Sequence, residues 1–128
     1  MIRTKLWGTC ETLIDTPTLK VDRIYGLAGG ASSLHRHMAA HNLFCVQRGV
    51  LDLFIGDILW KRLAANQSLV VPAGNWHRMA FALDTEAIEV YYPEPGGLLL
   101  PEDICRRPGE NGELGWAPGG APVTFAMA

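Results

Sequence analysis

The hydrophobic and polar positions of the first 92 residues alternate in short runs. Leu19, Val21, Tyr25 and Leu27 alternate with mostly polar neighbours, which is the two-residue period of a strand. The other strand-length apolar runs are Leu43–Val46, Val50–Ile55, Ser68–Val71, His77–Leu83 and Ala87–Tyr92. No segment keeps a convincing helical period over three turns. The pattern therefore predicts an all-β chain.

Turn-forming residues separate these runs at short and fairly regular intervals. They are Gly29-Gly30, Arg48-Gly49, Gly56-Asp57, Asn66-Gln67, Pro72-Ala73-Gly74 and Asp84-Thr85. Glycine, asparagine and proline supply the backbone conformations that tight turns need. Short strands at this spacing are typical of an antiparallel sandwich or barrel.

Proline and glycine become denser after Tyr92. Six of the eight prolines and seven of the fourteen glycines lie at or after Pro93. We therefore predict one domain, with a β-barrel over residues 1–92. Residues 93–128 are predicted to form a loop-rich extension that packs on the barrel or on a partner subunit. Within it, Val123-Thr124-Phe125 favours a terminal strand.

Composition and charge narrow the class of protein. The 128 residues are 48% hydrophobic, which is enough for one core, and 11 Lys and Arg face 13 Asp and Glu. This balance predicts neither nucleic acid nor an anionic membrane as a partner. We find no apolar run of transmembrane length and no secretory signal. The odd set of Cys10, Cys45 and Cys105 predicts free thiols in a reducing cytoplasm.

Three of the four histidines, His35, His37 and His41, lie within seven residues, and the fourth is His77. Residues i and i+2 of a strand point to the same face, so His35 and His37 can direct two imidazoles at one point. A metal ion accepts such nitrogens at about 2.0–2.1 Å. The pair alone is also compatible with two exposed or core histidines.

The spacing around these histidines resembles the two sequence motifs of the cupin superfamily. Gly29, His35, His37 and Gly49 fit the first motif, and Pro72, Gly74 and His77 fit the second. The resemblance implies a single-domain cupin, an all-β double-stranded β-helix with a jelly-roll-like barrel. It also implies one divalent transition metal, and the sequence does not choose among Zn, Fe, Mn, Ni and Co.

The metal ligands implied by the resemblance are His35, His37, Asn42 and His77. The cupin motif has a glutamate where this chain has Asn42, so we expect weaker metal binding and a more acidic bound water. Asn42 shares a strand face with Phe44 and Val46, whereas the rival ligand His41 needs a β-bulge to reach the site. A third possibility is that Asn42 only hydrogen-bonds to a bound water.

A narrower resemblance covers about Leu6 to Arg106. It is carried by Leu6-Trp7-Gly8-Thr9, Ser33-Leu34, His77-Arg78, Ile88-Glu89-Val90 and Glu102-Asp103-Ile104-Cys105-Arg106. These residues look like the small C-terminal cupin domain of type II phosphomannose isomerases, which is often fused to mannose-1-phosphate guanylyltransferase. The closing Arg-Tyr-Gly-Arg of that family is missing here. If that segment binds the sugar phosphate in the family, the resemblance does not determine the substrate of this chain.

An isomerase needs a base that moves a proton between neighbouring carbons. Glu89 and Tyr91 are our candidates for that catalytic role, with His41 as a further possibility. The alternative for Glu89 is a paired surface carboxylate. Arg78 follows His77, so strand parity turns it outward, and we expect it in a surface or interface ion pair.

Four apolar side chains are expected to bind the substrate. They are Phe44, Trp76, Met79 and Phe81. Phe44 shares a face with Asn42, and Met79 and Phe81 share a face with His77, so these three are expected to line the barrel. Trp76 lies beside His77 at the expected mouth of the barrel, where an aromatic ring can stack on a sugar.

Three functions follow for the small-molecule site. The narrower resemblance implies a metal-dependent, isomerase-like enzyme acting on a sugar or sugar phosphate. The missing carboxylate resembles the three-histidine non-haem iron dioxygenases of the cupin superfamily. The third hypothesis is a module that binds a metal or small ligand without catalysis. We also expect a homodimer, because pairing buries the apolar edges that a small barrel leaves exposed.

Overall fold

The computed structural model describes residues 2–100, 103–106 and 114–115. The described residues form β1 (Ile2–Lys5), β2 (Gly8–Asp15), β3 (Lys20–Gly26), β4 (Gly30–Ala31), β5 (His35–Arg36), β6 (His41–Arg48), β7 (Val50–Ile55), β8 (Ile58–Ala64), β9 (Ser68–Val71), β10 (His77–Phe81), β11 (Thr85–Tyr92), β12 (Cys105–Arg106) and β13 (Leu114–Gly115). No helix occurs in these ranges, and the prediction of an all-β chain is confirmed.

The strands form two antiparallel sheets. The first sheet has the order β1-β2-β3-β11-β6-β9. The second sheet has the order β12-β5-β10-β4-β13, with β7 also paired to β10 and β8 paired to β7. One buried core joins the two sheets, since Ile24 and Phe44 of the first pack in the same cluster as Leu53 and Met79 of the second. The chain is therefore a two-layered β structure.

The inner face of the first sheet is polar at one end and apolar at the other. Strand register places the side chains in three rows, which are Lys20–Tyr91–Asn42, Asp22–Glu89–Phe44 and Ile24–Ala87–Val46. Because alternate residues of a strand share a face, each strand contributes one residue to each row. The gradient leaves a polar region beside an apolar core.

Strand β3 is present as predicted, but its apolar alternation does not mark the buried face. Tyr25 and Leu27 are exposed, whereas Asp22 and Ile24 are buried. The physical reason is the row arrangement, in which Ile24 extends the apolar core and Asp22 lies in the polar region next to Glu89.

Strand β10 is buried along its whole length, including Arg78. The expectation that Arg78 forms a surface ion pair is therefore wrong. β10 is an inner strand, with β7 on one side and β4 and β5 on the other, and both of its faces are covered. The Nε atom of Arg78 donates to the backbone carbonyl of Ser32 at 2.9 Å.

The turn between β6 and β7 depends on Gly49. Its φ is +87°, and a Cβ atom there would lie 2.4 Å from the carbonyl oxygen of Asp84. A residue other than glycine would therefore be strained and would also clash with the turn before β11. The turn predicted at Arg48-Gly49 is thus present, and it carries the chain from the first sheet to the second, since β6 pairs with β9 and β11 and β7 pairs with β8 and β10.

The described part of the C-terminal extension adds to the second sheet. β12 pairs with β5, and β13 pairs with β4. The domain boundary after Tyr92 stays a prediction, and the terminal strand proposed at Val123-Thr124-Phe125 lies outside the described residues. Across the ranges described, no helix has the length and apolar character needed to cross a membrane.

Candidate metal centre

Three histidines converge at the polar end of the barrel. His35 opens β5 and pairs in register with His77, which opens β10, and His37 follows β5 directly. Their ring centroids are 4.6 Å apart for His35 and His77, 5.0 Å for His35 and His37, and 5.6 Å for His37 and His77. One potential ligand atom from each residue lies within 4.8 Å of the other two. This is the arrangement needed to hold a single metal ion.

Hydrogen bonds to backbone carbonyls orient all three rings. The Nδ1 atoms of His35, His37 and His77 contact the carbonyl oxygens of Ser33, Asp103 and Asn75 at 2.8, 2.6 and 2.9 Å respectively. A carbonyl oxygen can only accept, so Nδ1 carries the proton in each ring and Nε2 keeps its lone pair. Metal-ligating histidines typically have such an outer partner on the second nitrogen.

Burial keeps His77 neutral. Burial is the largest effect and lowers the pKa of His77 to about 4. The hydrogen bond to Asn75 raises this pKa, and the nearby His37 lowers it. The neutral imidazole is the form that binds a metal. The Nε2 atom of His77 is buried and has no hydrogen-bond partner among the described residues. A metal ion would supply the missing partner, so the donor set fits the implied metal.

Asn42 and His41 differ in what their side chains already contact. The Nδ2 atom of Asn42 donates to Glu89 at 2.9 Å, and its buried Oδ1 has no partner within the described part of the chain. His41 accepts from the backbone N–H of Ala73 through Nδ1, and its Nε2 donates to Glu94. Both nitrogens of His41 are thus engaged elsewhere. The role of Asn42 as a fourth ligand stays a prediction.

The histidines open onto a cavity of about 310 Å³. One wall is polar and contains Arg3, Lys20, Asp22, Glu89 and Tyr91. The other contributors include Lys5, Trp7, Cys10, Ser32, Ser33, Ala40, Phe44 and Met79 from the barrel, and Leu99, Leu100, Asp103 and Ile104 from the extension. The cavity is therefore more polar than the apolar residues predicted from the sequence suggest, and the extension helps to enclose it.

Glu89 and Tyr91 lie side by side in this cavity. Glu89 is buried, so the alternative interpretation as a surface carboxylate is wrong. Burial, followed by the negative charge of Asp22, raises the pKa of Glu89 to about 7, and the hydrogen bond from Tyr91 opposes that rise. Burial and Glu89 raise the pKa of Tyr91 well above its ordinary value, which keeps its hydroxyl protonated.

The four predicted substrate-binding residues separate into two groups. Phe44 and Met79 line the cavity, and the ring of Phe44 lies 6.4 Å from that of His77. Phe81 lies in the core, where its ring is 5.5 Å from that of Trp7. Trp76 is outside the cavity lining, and the guanidinium of Arg36 lies 4.7 Å from the centre of its ring. The binding roles of all four stay predictions.

The sequence did not lead us to predict Arg3, Lys20 and Asp22 as residues of the cavity wall. The signal was present in the parity of β3, since Lys20 and Asp22 stand four and two residues before Ile24, respectively. The apolar residues at Leu19 and Val21 masked this parity. Arg3 had no local signal, because its place beside Cys10 depends on the pairing of β1 with β2.

Comparison with known proteins finds relatives both in sequence and in fold. No protein-family model matches the chain. It is similar to mannose-1-phosphate guanylyltransferases from Escherichia coli and Klebsiella pneumoniae, each with 31% identity over 104 residues. This match covers 78% of the chain and 21% of each relative, so the chain spans about a fifth of the curated relatives.

Several proteins of known structure have a similar fold. An RmlC-like cupin from Shewanella frigidimarina has a TM-score of 0.64 and 20% identity, over 73% of this chain and 83% of that one. KdgF from Halomonas sp. has a TM-score of 0.59 and 20% identity, and the match covers 67% of this chain and 78% of that one. The DMSP lyase DddQ from Ruegeria pomeroyi has a TM-score of 0.63 and 17% identity, and the match covers 76% of this chain and 50% of that one. The resemblance inferred from the histidine motifs is confirmed, and the chain has the fold of the cupin superfamily.

Proposed function

We propose that the chain is a metal-dependent, isomerase-like enzyme that acts on a sugar or sugar phosphate. The observation that carries this proposal is that a buried carboxylate, Glu89, lines the same cavity as the three-histidine cluster. A cavity of about 310 Å³ is of the size that accepts small molecules. The similarity to enzymes named for mannose 1-phosphate supports a sugar phosphate as the substrate class.

His35, His37 and His77 would hold the divalent metal through Nε2. When bound, the metal would polarise a carbonyl or hydroxyl oxygen of the sugar. Neutral imidazoles leave the full charge of the ion available for that purpose. Zn, Fe, Mn, Ni and Co all suit a nitrogen-rich site, so the identity of the metal is left to experiment.

Glu89 is the base of the proposed reaction. Isomerisation of an aldose to a ketose moves one proton between neighbouring carbons and a second proton between the two oxygens they carry, and it needs no oxidant. Glu89 takes the proton from one carbon and returns it to the next. Asn42 donates to one oxygen of this carboxylate, and Tyr91 also donates to the carboxyl group, so the two residues fix its direction.

The test is exchange of a carbon-bound proton with solvent. Metal-loaded protein is incubated with mannose 6-phosphate in deuterium oxide, and NMR measures deuterium at the carbon next to the carbonyl group. Glu89→Gln should slow the exchange by about 10²–10⁴-fold while the metal content stays the same. Glu86→Gln is the matched control, because Glu86 lies on the same strand and pairs with Arg48 at the surface. Absence of exchange with mannose, mannose 6-phosphate and fructose 6-phosphate would contradict the proposal.

A three-histidine iron dioxygenase is the second candidate. The observation that favours it is that the only metal-binding cluster found in the described residues consists of histidines, with no carboxylate. Near-stoichiometric iron, together with oxygen uptake on addition of a thiol or diketone, would move this candidate ahead. The third hypothesis, a module without catalysis, accounts less well for a buried base in the cavity.

A further inference from the structure

We propose that Arg3 and Lys20, held in place by Asp22, form a subsite for the phosphate or carboxylate group of the ligand. This anion subsite comprises those three residues. It deepens the proposed function, since it names the charged group by which that same cavity recognises its substrate. Phosphate and carboxylate share the chemistry that the subsite would recognise, and the experiment below separates them.

The anion subsite is built on two strands of the first sheet. Arg3 lies on β1, and Lys20 and Asp22 lie on β3. The buried carboxylate of Asp22 lies 3.1 Å from Nη2 of Arg3 and 4.0 Å from Nζ of Lys20. Nη2 of Arg3 also donates to Cys10 Sγ at 3.0 Å. One buried anion thus fixes two cations on the cavity wall.

Arg3 keeps donors for a ligand. Its hydrogen bonds to Cys10, Thr12 and Asp22 all use Nη2, and Nε and Nη1 donate to no atom of the described residues. The side chains of Arg3 and Lys20 are 38% and 32% exposed, so they reach both the cavity and solvent. The planar guanidinium matches the oxygens of phosphate and carboxylate groups, and an ammonium adds a point charge.

The balance of charge in the cavity also favours an anion. Arg3, Lys5 and Lys20 contribute three positive charges against the carboxyl groups of Asp22, Glu89 and Asp103. The carboxylate of Asp103 is engaged by the backbone N–H groups of Met38 and Ala39. Three neutral histidines with a divalent metal would add two positive charges. An anionic ligand would neutralise this excess.

The experiment measures binding of simple anions to the metal-free full-length chain by calorimetry. Removing the metal prevents the anion from coordinating it. Inorganic phosphate and acetate are the two probes. Tighter binding of phosphate would indicate a phosphorylated ligand, and tighter binding of acetate would indicate a carboxylic acid.

Arg3→Gln and Lys20→Gln should each weaken binding of the preferred anion about tenfold or more. Arg23→Gln is the matched control. Arg23 has the same 38% exposure as Arg3 and also pairs with a carboxylate, Glu11, but it is absent from the cavity lining. Its replacement changes the net charge equally and should alter binding less than about twofold, because exposed charges act weakly at a distance. Arg3→Lys keeps a positive charge near Asp22 and should lose less affinity than Arg3→Gln.

Unchanged binding in both Arg3→Gln and Lys20→Gln would overturn the anion subsite, as would an equal loss in Arg23→Gln. Should Arg3→Gln fail to fold, Lys20→Gln and Arg3→Lys decide the outcome. Failure of the anion subsite with metal still bound by the histidines would leave the proposed function standing. Anion binding without proton exchange on any sugar phosphate would instead contradict the proposed function alone.

Discussion

The backbone carbonyl oxygen of Asp103 accepts a hydrogen bond from Nδ1 of His37 at 2.6 Å, across 66 residues of sequence. The carboxylate of Asp103 also accepts from the backbone N–H groups of Met38 and Ala39, both at 2.8 Å. The extension therefore supports one histidine of the candidate metal centre directly and holds the loop that follows it. The candidate metal centre is formed by the barrel and the extension together.

Replacing Asp103 should weaken metal binding without unfolding the barrel. Asp103→Ala removes the two contacts to the loop and loosens the carbonyl that orients His37. Loss of such an outer partner typically costs about 10–100-fold in metal affinity, which a competition assay with a chelator would measure. Asp84→Ala is the control, because Asp84 accepts from the backbone N–H of Ala28 in a loop without metal ligands. Equal metal affinity in the two variants would contradict this role of Asp103.

Substitutions of Phe81 and Phe44 should distinguish a residue that only packs in the core from one that also contacts the ligand. Phe81→Leu removes the ring that packs on Trp7 and should lower the free energy of unfolding by about 1–2 kcal/mol. Its KM should stay unchanged, because Phe81 does not line the cavity. Phe44→Leu should change both quantities. Chemical denaturation and steady-state kinetics check the pair, and a raised KM in Phe81→Leu would show that Phe81 contacts substrate.

The thiol of Cys10 should be less reactive than that of Cys45. Burial, followed by the charges of Asp22 and Glu89, raises its pKa to about 12, so the thiol stays protonated between pH 6 and about 9. Alkylation requires the thiolate, and Cys45 is less buried than Cys10. Mass spectrometry after timed alkylation of the folded chain should find Cys45 modified before Cys10. Faster modification of Cys10 would mean that its surroundings open in solution.

Strand β8 is the surface on which we expect a second copy of the chain. It pairs only with β7 among the described strands, and its apolar residues Ile58, Leu59 and Trp60 are all exposed. An edge strand of this kind is a template for pairing with another strand. Light scattering at micromolar concentration should give the mass of a dimer, and Trp60→Lys should shift it towards a monomer. A monomer in the original sequence would rule out the homodimer.

The sequence was informative where local pattern decides the structure. His35 and His37 point to the same site, as predicted for residues two apart in an extended segment, although β5 itself ends at Arg36. His77 is 40 residues further along the chain, and only the second motif connected it to the first. Arg78 shows the limit of strand parity, since parity gives the direction of a side chain but not what covers it. The polar wall was missed because Leu19 and Val21 masked the spacing of Lys20 and Asp22, and Arg3 reaches them only through the pairing of β1 with β2 and of β2 with β3.

Elemental analysis of the full chain, purified without a histidine tag, is the most direct test of the metal centre. It should find about one divalent transition metal per chain. His77→Ala should lose most of that metal while circular dichroism still reports β structure, and His41→Ala should keep it, because both nitrogens of His41 are engaged by Glu94 and Ala73. No metal even after reconstitution, or unchanged metal in His77→Ala, would contradict the three-histidine site.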